Sequence, residues 1–213
     1  GNYLYNGGLI NNNYSMSFDG VDDYITTPNP VQGATTELSV TVWVKFNEIT
    51  SVNEDNIFAA WDASLSKFLL SHQMSSSGPF AYQDIISINT SYDAVQFPTD
   101  SSDYGNWTHL AFTFNASGSL RLYKNGFLVA ETPSTNTLLS GSSILTFGCQ
   151  ENYNFSGDYT GNIDDVTIWD TELDSATIIN IMNCSPAGNE VGLAGYWTFE
   201  EGSGTTVYDQ TGN

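Results

Sequence analysis

The chain has 213 residues and sets 24 Asp plus Glu against four Lys plus Arg, a formal net charge of -20. Almost no cation is available to neutralise nucleic-acid phosphates or to hold an anionic membrane surface, and no apolar run reaches the roughly 18 residues of a membrane-spanning helix. The length suits a single all-β unit able to bury a core without staples, and the five Trp, 12 Tyr and 12 Phe suit pleated, half-buried surfaces.

The excess of carboxylates has two compatible meanings. It keeps a protein soluble in a salty extracellular medium, and some of the groups can hold divalent cations.

In chain order, the first marked feature is FDGVDDYI at 18–25, which gathers Asp19, Asp22 and Asp23 at an early strand end. LSVTVWVKF at 38–46 then alternates, with Leu38, Val40, Val42, Val44 and Phe46 on one face. The pattern recurs in WTHLAFTF at 107–114 and SLRLY at 119–123, joined by the turn residues 115–118. Lys124-Asn125-Gly126 reads as a hairpin turn. Alternation returns in IDDVTIW at 163–169 and AGYWTF at 194–199. Period-two runs between Gly, Asn, Ser and Asp clusters are strand signals.

TELDSATIINIM at 171–182 reads as one short helix, with Asp174 or Ser175 at its start. These elements predict an all-β, antiparallel two-sheet sandwich with one short helix near the C-terminal third. No internal repeat or linker divides 1–213. The start, GNYLYNGG, lacks the charged and apolar regions of a signal peptide, and the end at Gly212-Asn213 is abrupt; both suggest a domain excised from a longer chain.

The two cysteines, Cys149 and Cys184, leave two readings. A disulfide in an exported protein would close a loop of about 35 residues and add about 3–4 kcal/mol; the alternative is two separate buried thiols. The spacing argues against zinc, since two Cys and two distant His do not match a ligand pattern. Six Asn-x-Ser/Thr sequons, at Asn13, Asn89, Asn106, Asn115, Asn154 and Asn183, are too easily met by chance in so Asn/Ser/Thr-rich a chain to establish glycosylation.

No catalytic constellation stands out. His72 and His109 are isolated, and there is no Gly-x-Ser-x-Gly elbow, phosphate loop or dinucleotide motif. In a regular strand the adjacent Asp164 and Asp165 would point to opposite faces. Glu200 and Glu201 precede a Gly-rich turn.

The ordered series FDGVDDYI, LSVTVWVKF, NWTHLAFTFNASGSLRLYKNGFLV, YTGNIDDVTIWDTELDSATI and GLAGYWTFEEGSGTTVYDQTGN resembles the laminin-G-like jelly rolls of the concanavalin A-like superfamily. Such domains are common in secreted bacterial carbohydrate-active proteins and adhesins. A second likeness lies inside the same superfamily: LTFGCQENYNFSGDYTGNIDDVTIWDTELDSATI looks like the pentraxin calcium-loop region, with Gln150, Glu151 and Asn152 at the acidic and amide positions. Here the loop is several residues shorter, Cys149 stands where pentraxins have Gln, and Gln150 replaces a Glu. The retaining hydrolases of the superfamily carry Glu-x-Asp-x-x-Glu on one strand, with carboxyls about 5–5.5 Å apart; that motif is absent.

Calcium wants six to eight hard oxygen ligands. The laminin-G-like resemblance implies one structural Ca2+ shared by the FDG and IDD segments, held by the Asp19 and Asp164 side chains and the Gly20 carbonyl. On the residues alone, Asp19 and Asp22 are equally suited to Asx turns. The pentraxin likeness implies a second cation on Glu151, Asn152 and Asp158, with Asp62 from a neighbouring loop.

Sugar rings need aromatic platforms and hydrogen-bonding amides or carboxylates. The loop aromatics Trp61, Tyr82, Tyr92, Tyr104, Tyr153 and Phe155 qualify, beside Asp62, Gln83, Asn152 and Asn154. Trp61-Asp62 and Asn152-Tyr153 lie where pentraxins place ligand loops. Trp43, Trp107, Trp169 and Trp197 sit within strand patterns and are assigned to packing.

The expectation is a secreted or cell-surface, calcium-stabilised, non-catalytic carbohydrate-binding module, monomeric as an isolated domain. Its partners would be neutral glycans, or anionic groups bridged by calcium. The alternatives are a protein-binding or adhesion module of the same fold and, behind it, a hydrolase or lyase with an unfamiliar site.

Overall fold

A computed structural model describes residues 2–5, 8–47, 54–61, 66–74, 82–88, 93–98, 101–134, 144–149 and 159–212. In chain order the strands are β1 (Asn2–Tyr5), β2 (Gly8–Asn11), β3 (Met16–Asp19), β4 (Ile25–Pro28), β5 (Glu37–Phe46), β6 (Glu54–Trp61), β7 (Ser66–Met74) and β8 (Tyr82–Ile88). They continue with β9 (Asp93–Pro98), β10 (Trp107–Asn115), β11 (Ser119–Lys124), β12 (Phe127–Pro133), β13 (Ile144–Phe147), β14 (Thr160–Trp169) and β15 (Leu193–Trp197). One helix, α1 (Ser175–Asn183), lies between β14 and β15.

Two large antiparallel sheets form the sandwich. The first runs β12-β11-β10-β5-β14, and the far edge of β14 is shared end to end by β3 and β15. The second runs β4-β13-β6-β7-β8-β9. β1 and β2 make a separate hairpin.

The predicted alternation decides which faces meet. Leu38, Val40, Val42, Val44 and Phe46 of β5 enter the central core with Leu110, Phe112 and Phe114 of β10. Across the interface, Phe112 stacks on Phe58 of β6 with centroids 6.2 Å apart. Trp197 of β15 meets Phe147 of β13 edge-on at 5.4 Å. The β11–β12 hairpin turns on Asn125 and Gly126, both at positive φ (51° and 81°), as a two-residue hairpin loop requires.

The outer face of the first sheet is also buried, because α1 lies on it. Ile178 and Ile181 pack with Leu173 onto Ala111, Tyr123, Trp169 and Tyr196, and Met182 packs on Trp43. The helix begins at the start expected from the sequence, Ser175 after the cap Asp174. Asp174 sits in extended conformation as its cap and accepts the Thr177 N–H at 2.7 Å, while Ser39 Oγ ties down the preceding segment through Thr171 and Leu173.

The expected Cys149–Cys184 bridge is not formed; both residues are thiols. Cys149 is buried beyond the end of β13, in the second sheet. Cys184 is the exposed C-cap of α1, on the outer side of the first sheet. The sandwich lies between them, and a disulfide needs Cα atoms within about 7 Å.

Candidate functional site

The FDG and IDD segments are neighbours, but not in the register that one shared ion needs. β3 pairs with β14 so that Asp19 faces Thr160. Asp164 lies four residues further along β14, about 13 Å away at strand rise. Asp19 and Asp164 therefore do not fit as ligands of one calcium, and Gly20 lies at the Asp19 end. Asp19 instead makes the Asx turn: its Oδ1 accepts the Val21 N–H at 2.9 Å. Asp23 Oδ2 accepts the Asp19 N–H at 3.1 Å. Asp19, Asp22 and Asp23 form an exposed triad whose carboxylate oxygens lie within 4.8 Å of one another.

Asp62, Glu151, Asn152, Tyr153 and Asp158, with Tyr92, Asn154 and Phe155, lie outside the described residues. Trp61 and Tyr82 mark the end of β6 and the start of β8, with side chains outside the description. Tyr104 is half-buried against the central core and is not a free platform.

Asp164 and Asp165 depart from regular strand geometry. β14 pairs Asp164 with Trp43 and Thr167 with Thr41, so two residues face Val42 alone. This bulge inserts Asp165 at φ 45°. Val166 stays in the central core, and both carboxylates join the helix-side layer. Asp164 shares its rung with Trp43, and Asp165 accepts from Tyr196 Oη at 3.0 Å and Asn12 Nδ2 at 2.6 Å. The expectation that they point to opposite faces is thus corrected. Burial pushes the Asp165 carboxyl up to about 6, partly offset by those two hydrogen bonds. The same burial, with the Asp165 charge alongside, raises the Tyr196 hydroxyl.

His109, Glu200 and Glu201 each hold a structural position. His109 is buried in the same layer, edge-on to Trp43 at 5.2 Å, and desolvation holds its pKa down to about 3. Glu200 accepts the backbone N–H groups of Asn13 and Tyr14 at 2.8 and 2.9 Å. Glu201 accepts the Tyr208 N–H at 2.9 Å. These contacts fix where the segments before β3 and after β15 lie.

Between those segments runs a groove of about 690 Å³ along the sandwich edge, where β3 of one sheet and β4 of the other come together. Met16, Ile25, Phe199 and Val207 join it to the core. Tyr14 and Tyr24, each just before an edge strand, line it and are 51% and 48% exposed, enough to offer a ring to a ligand. A Cβ on Gly202, at φ 68°, would come within 3.0 Å of the Tyr14 ring, so the bare backbone there seats that ring. Hydroxyls of Ser15, Thr26, Ser203, Thr205 and Thr206 line the rest. The charged lining is Asp23 and Glu201.

Sequence reading missed Tyr14 and Tyr24. Each is an exposed loop aromatic by the criterion applied elsewhere, but Tyr14 and Glu201 are 187 positions apart and only the β3–β14 and β14–β15 pairings unite them.

This arrangement offers aromatic faces, hydroxyls and carboxylate acceptors in one concavity, the chemistry that recognises sugars. No curated protein matches the sequence. Among solved structures, a Bacteroides ovatus protein named as carbohydrate-binding superposes with a TM-score of 0.70 at 13% identity, over 92% of this chain and 57% of that one. A heptameric SAP-like pentraxin from Limulus polyphemus gives 0.64 at 17% identity, over 91% and 89%. Domain 4 of an extracellular arabinanase from Geobacillus stearothermophilus, solved with arabinotriose, gives 0.57 at 19% identity, over 78% and 75%. At these identities the likeness is one of fold. The sequence itself matches the laminin G type 3 family over residues 19–179, three quarters of the chain. The chain therefore belongs to the family described as the concanavalin A-like lectin/glucanases superfamily.

Proposed function

We propose that this chain is a non-catalytic module that binds glycans in the groove between β3 and β4, as part of an exported protein. The observation that carries the reading is the pair of exposed tyrosines, Tyr14 and Tyr24, in a hydroxyl-lined groove. The sugar-bound arabinanase domain and the Bacteroides protein support the ligand class, and the extracellular setting of the former supports export. The non-catalytic part rests on the missing Glu-x-Asp-x-x-Glu strand and on the use of Glu200, Glu201 and Asp23 as backbone acceptors. Attached to a larger chain, such a module raises local concentration on a polymer.

Affinity electrophoresis through gels cast with neutral polysaccharides tests this. At least one polymer is expected to retard the chain, and Tyr14→Ala and Tyr24→Ala should each weaken that retention about tenfold, the loss of one ring contact. Retention that survives both substitutions but is lost in Trp61→Ala would move the site to the loops. Silence across the whole panel would favour the protein-binding alternative.

Calcium is a separable part of the proposal. The donor set that fits is the hard-oxygen triad Asp19, Asp22 and Asp23, with water and carbonyls completing the shell. Calcium at 100 times its Kd would stabilise the folded chain by about 2.7 kcal/mol, so chelator should lower the melting temperature by several degrees and Asp22→Asn should abolish the difference. Equal melting with and without chelator removes calcium and leaves the groove untouched.

A further inference from the structure

We infer that the groove selects glycans carrying free amino groups, such as oligomers of deacetylated amino sugars, over their neutral counterparts. This deepens the glycan-binding reading and rests on it. The two charged residues lining the groove, Asp23 and Glu201, are both acidic. Among the described residues neither is ion-paired: Asp23 accepts the Asp19 N–H, and Glu201 accepts the Tyr208 N–H.

None of the described cations Lys45, Arg121 and Lys124 lines the groove. Arg121 lies between Glu131 and Glu172, and Lys124 pairs with Asp103; all three of those carboxylates lie outside the groove lining. Asp19 and Asp22, beside Asp23, add charge of the same sign at one end. With no calcium on the triad, an ammonium group entering this groove meets carboxylates without first breaking an ion pair. It also meets two tyrosine rings, whose faces attract cations. A uronic or sulfated sugar meets repulsion from the same groups. A neutral sugar gains only the stacking and hydroxyl contacts.

Both carboxylates are held in place. Glu201 is anchored through Tyr208, and Asp23 through the turn that joins β3 to β4. The charge is therefore fixed along the path a sugar chain would follow, rather than swinging on a mobile stem.

The test is calorimetric titration with length-matched oligomers of glucosamine, N-acetylglucosamine and glucose, in chelator-treated, low-salt, mildly acidic buffer, where the sugar amine is protonated. The amine-bearing oligomer is expected to bind about tenfold tighter than the other two, and added salt should erase most of that advantage. Asp23→Asn and Glu201→Gln should each cut the amine-over-neutral ratio about threefold, whatever change either makes to the neutral oligomers themselves.

Asp170→Asn, which removes a like charge at the far end of β14, controls for general attraction of a cation to an acidic protein. An advantage that drops equally in that control, or persists in the Asp23→Asn/Glu201→Gln double variant, overturns the inference. So does equal binding of all three oligomers. In that last case, if Tyr14→Ala still abolishes binding, the glycan-binding reading stands while the amine selectivity falls. If no oligomer or polymer binds, both fall.

Discussion

Trp197→Ala is expected to be the most destabilising single truncation outside the glycines, lowering the melting temperature by about 10 °C or more. Trp197 is 1% exposed and among the largest fully buried side chains. It closes the core between the sheets, edge-on to Phe147 at 5.4 Å, while Phe147 also meets Phe199 at 5.7 Å. The indole fills the space left by Gly195, where a Cβ would come within 2.6 Å of it. Phe147 and Gly195 are both fixed on paired strands, so the site cannot collapse around an alanine. Loss of transfer energy and the residual cavity together cost about 3–5 kcal/mol, which converts to about 2–4 °C per kcal/mol for a chain of this size.

The substitution also reaches the binding groove. β15 is an edge strand held to β14 by a short run of rungs, Val166 with Trp197 through Trp169 with Leu193. It delivers residues 199–207 to the groove. Circular dichroism melting measures the stability, and glycan retention measured well below the melting point reports the groove. A loss under about 1 kcal/mol, the range of a surface substitution, would show that β15 does not close the core.

The sandwich was legible in the sequence because its signal is local. Period-two alternation at 38–46 and 107–114 places Val40, Val42, Leu110 and Phe112 inward from the residues alone, and the structure puts all four in the central core. The Asn125-Gly126 turn is equally local, since positive φ at both positions demands that pair. Trp43 and Trp169 were assigned to packing, and both are buried, though on the outer face beneath α1 rather than between the sheets.

What the sequence could not show depends on register. No local pattern announces the bulge at Asp165, which turns two adjacent aspartates onto one side. Nor does any announce that Asp19 faces Thr160 and not Asp164. The groove is the extreme case: Tyr14, Tyr24 and Glu201 become neighbours only through long-range strand pairing and through Glu200 reaching the backbone of Asn13 and Tyr14.

Asp165→Asn should make the chain more stable at alkaline pH and change nothing in acid. The carboxyl is 7% exposed, and its pKa stands at about 6 against an ordinary 3.8. Below the ordinary value both folded and unfolded chains hold the proton and the fold suffers no penalty. Between the two values the unfolded chain releases a proton that the folded chain keeps, so stability falls as pH rises. Above 6 the full cost of the buried charge remains, about 3 kcal/mol at 1.36 kcal/mol for each pH unit.

Asp165→Asn removes that cost while keeping the geometry. The amide oxygen still accepts from Tyr196, the Asn12 amide can turn to present its own oxygen, and asparagine tolerates positive φ. The variant and the parent should melt together near the ordinary carboxyl value. Well above pH 6 the variant should melt about 5 °C or more higher. Taking the difference between the two curves cancels the other titrating groups, including Asp174 and Glu190, whose lowered values act in the opposite direction.

Asp165→Ala should instead lose stability at every pH, because it leaves the Tyr196 hydroxyl and the Asn12 amide without their partner in a buried layer. Parallel curves for parent and Asp165→Asn would mean that solvent or a cation reaches this carboxylate. Asn12 leads directly into Tyr14, so the same pair of variants shows whether the tether beside the groove is held by charge or by hydrogen-bond shape. Retention of glycan in Asp165→Asn but not in Asp165→Ala assigns the anchoring to shape.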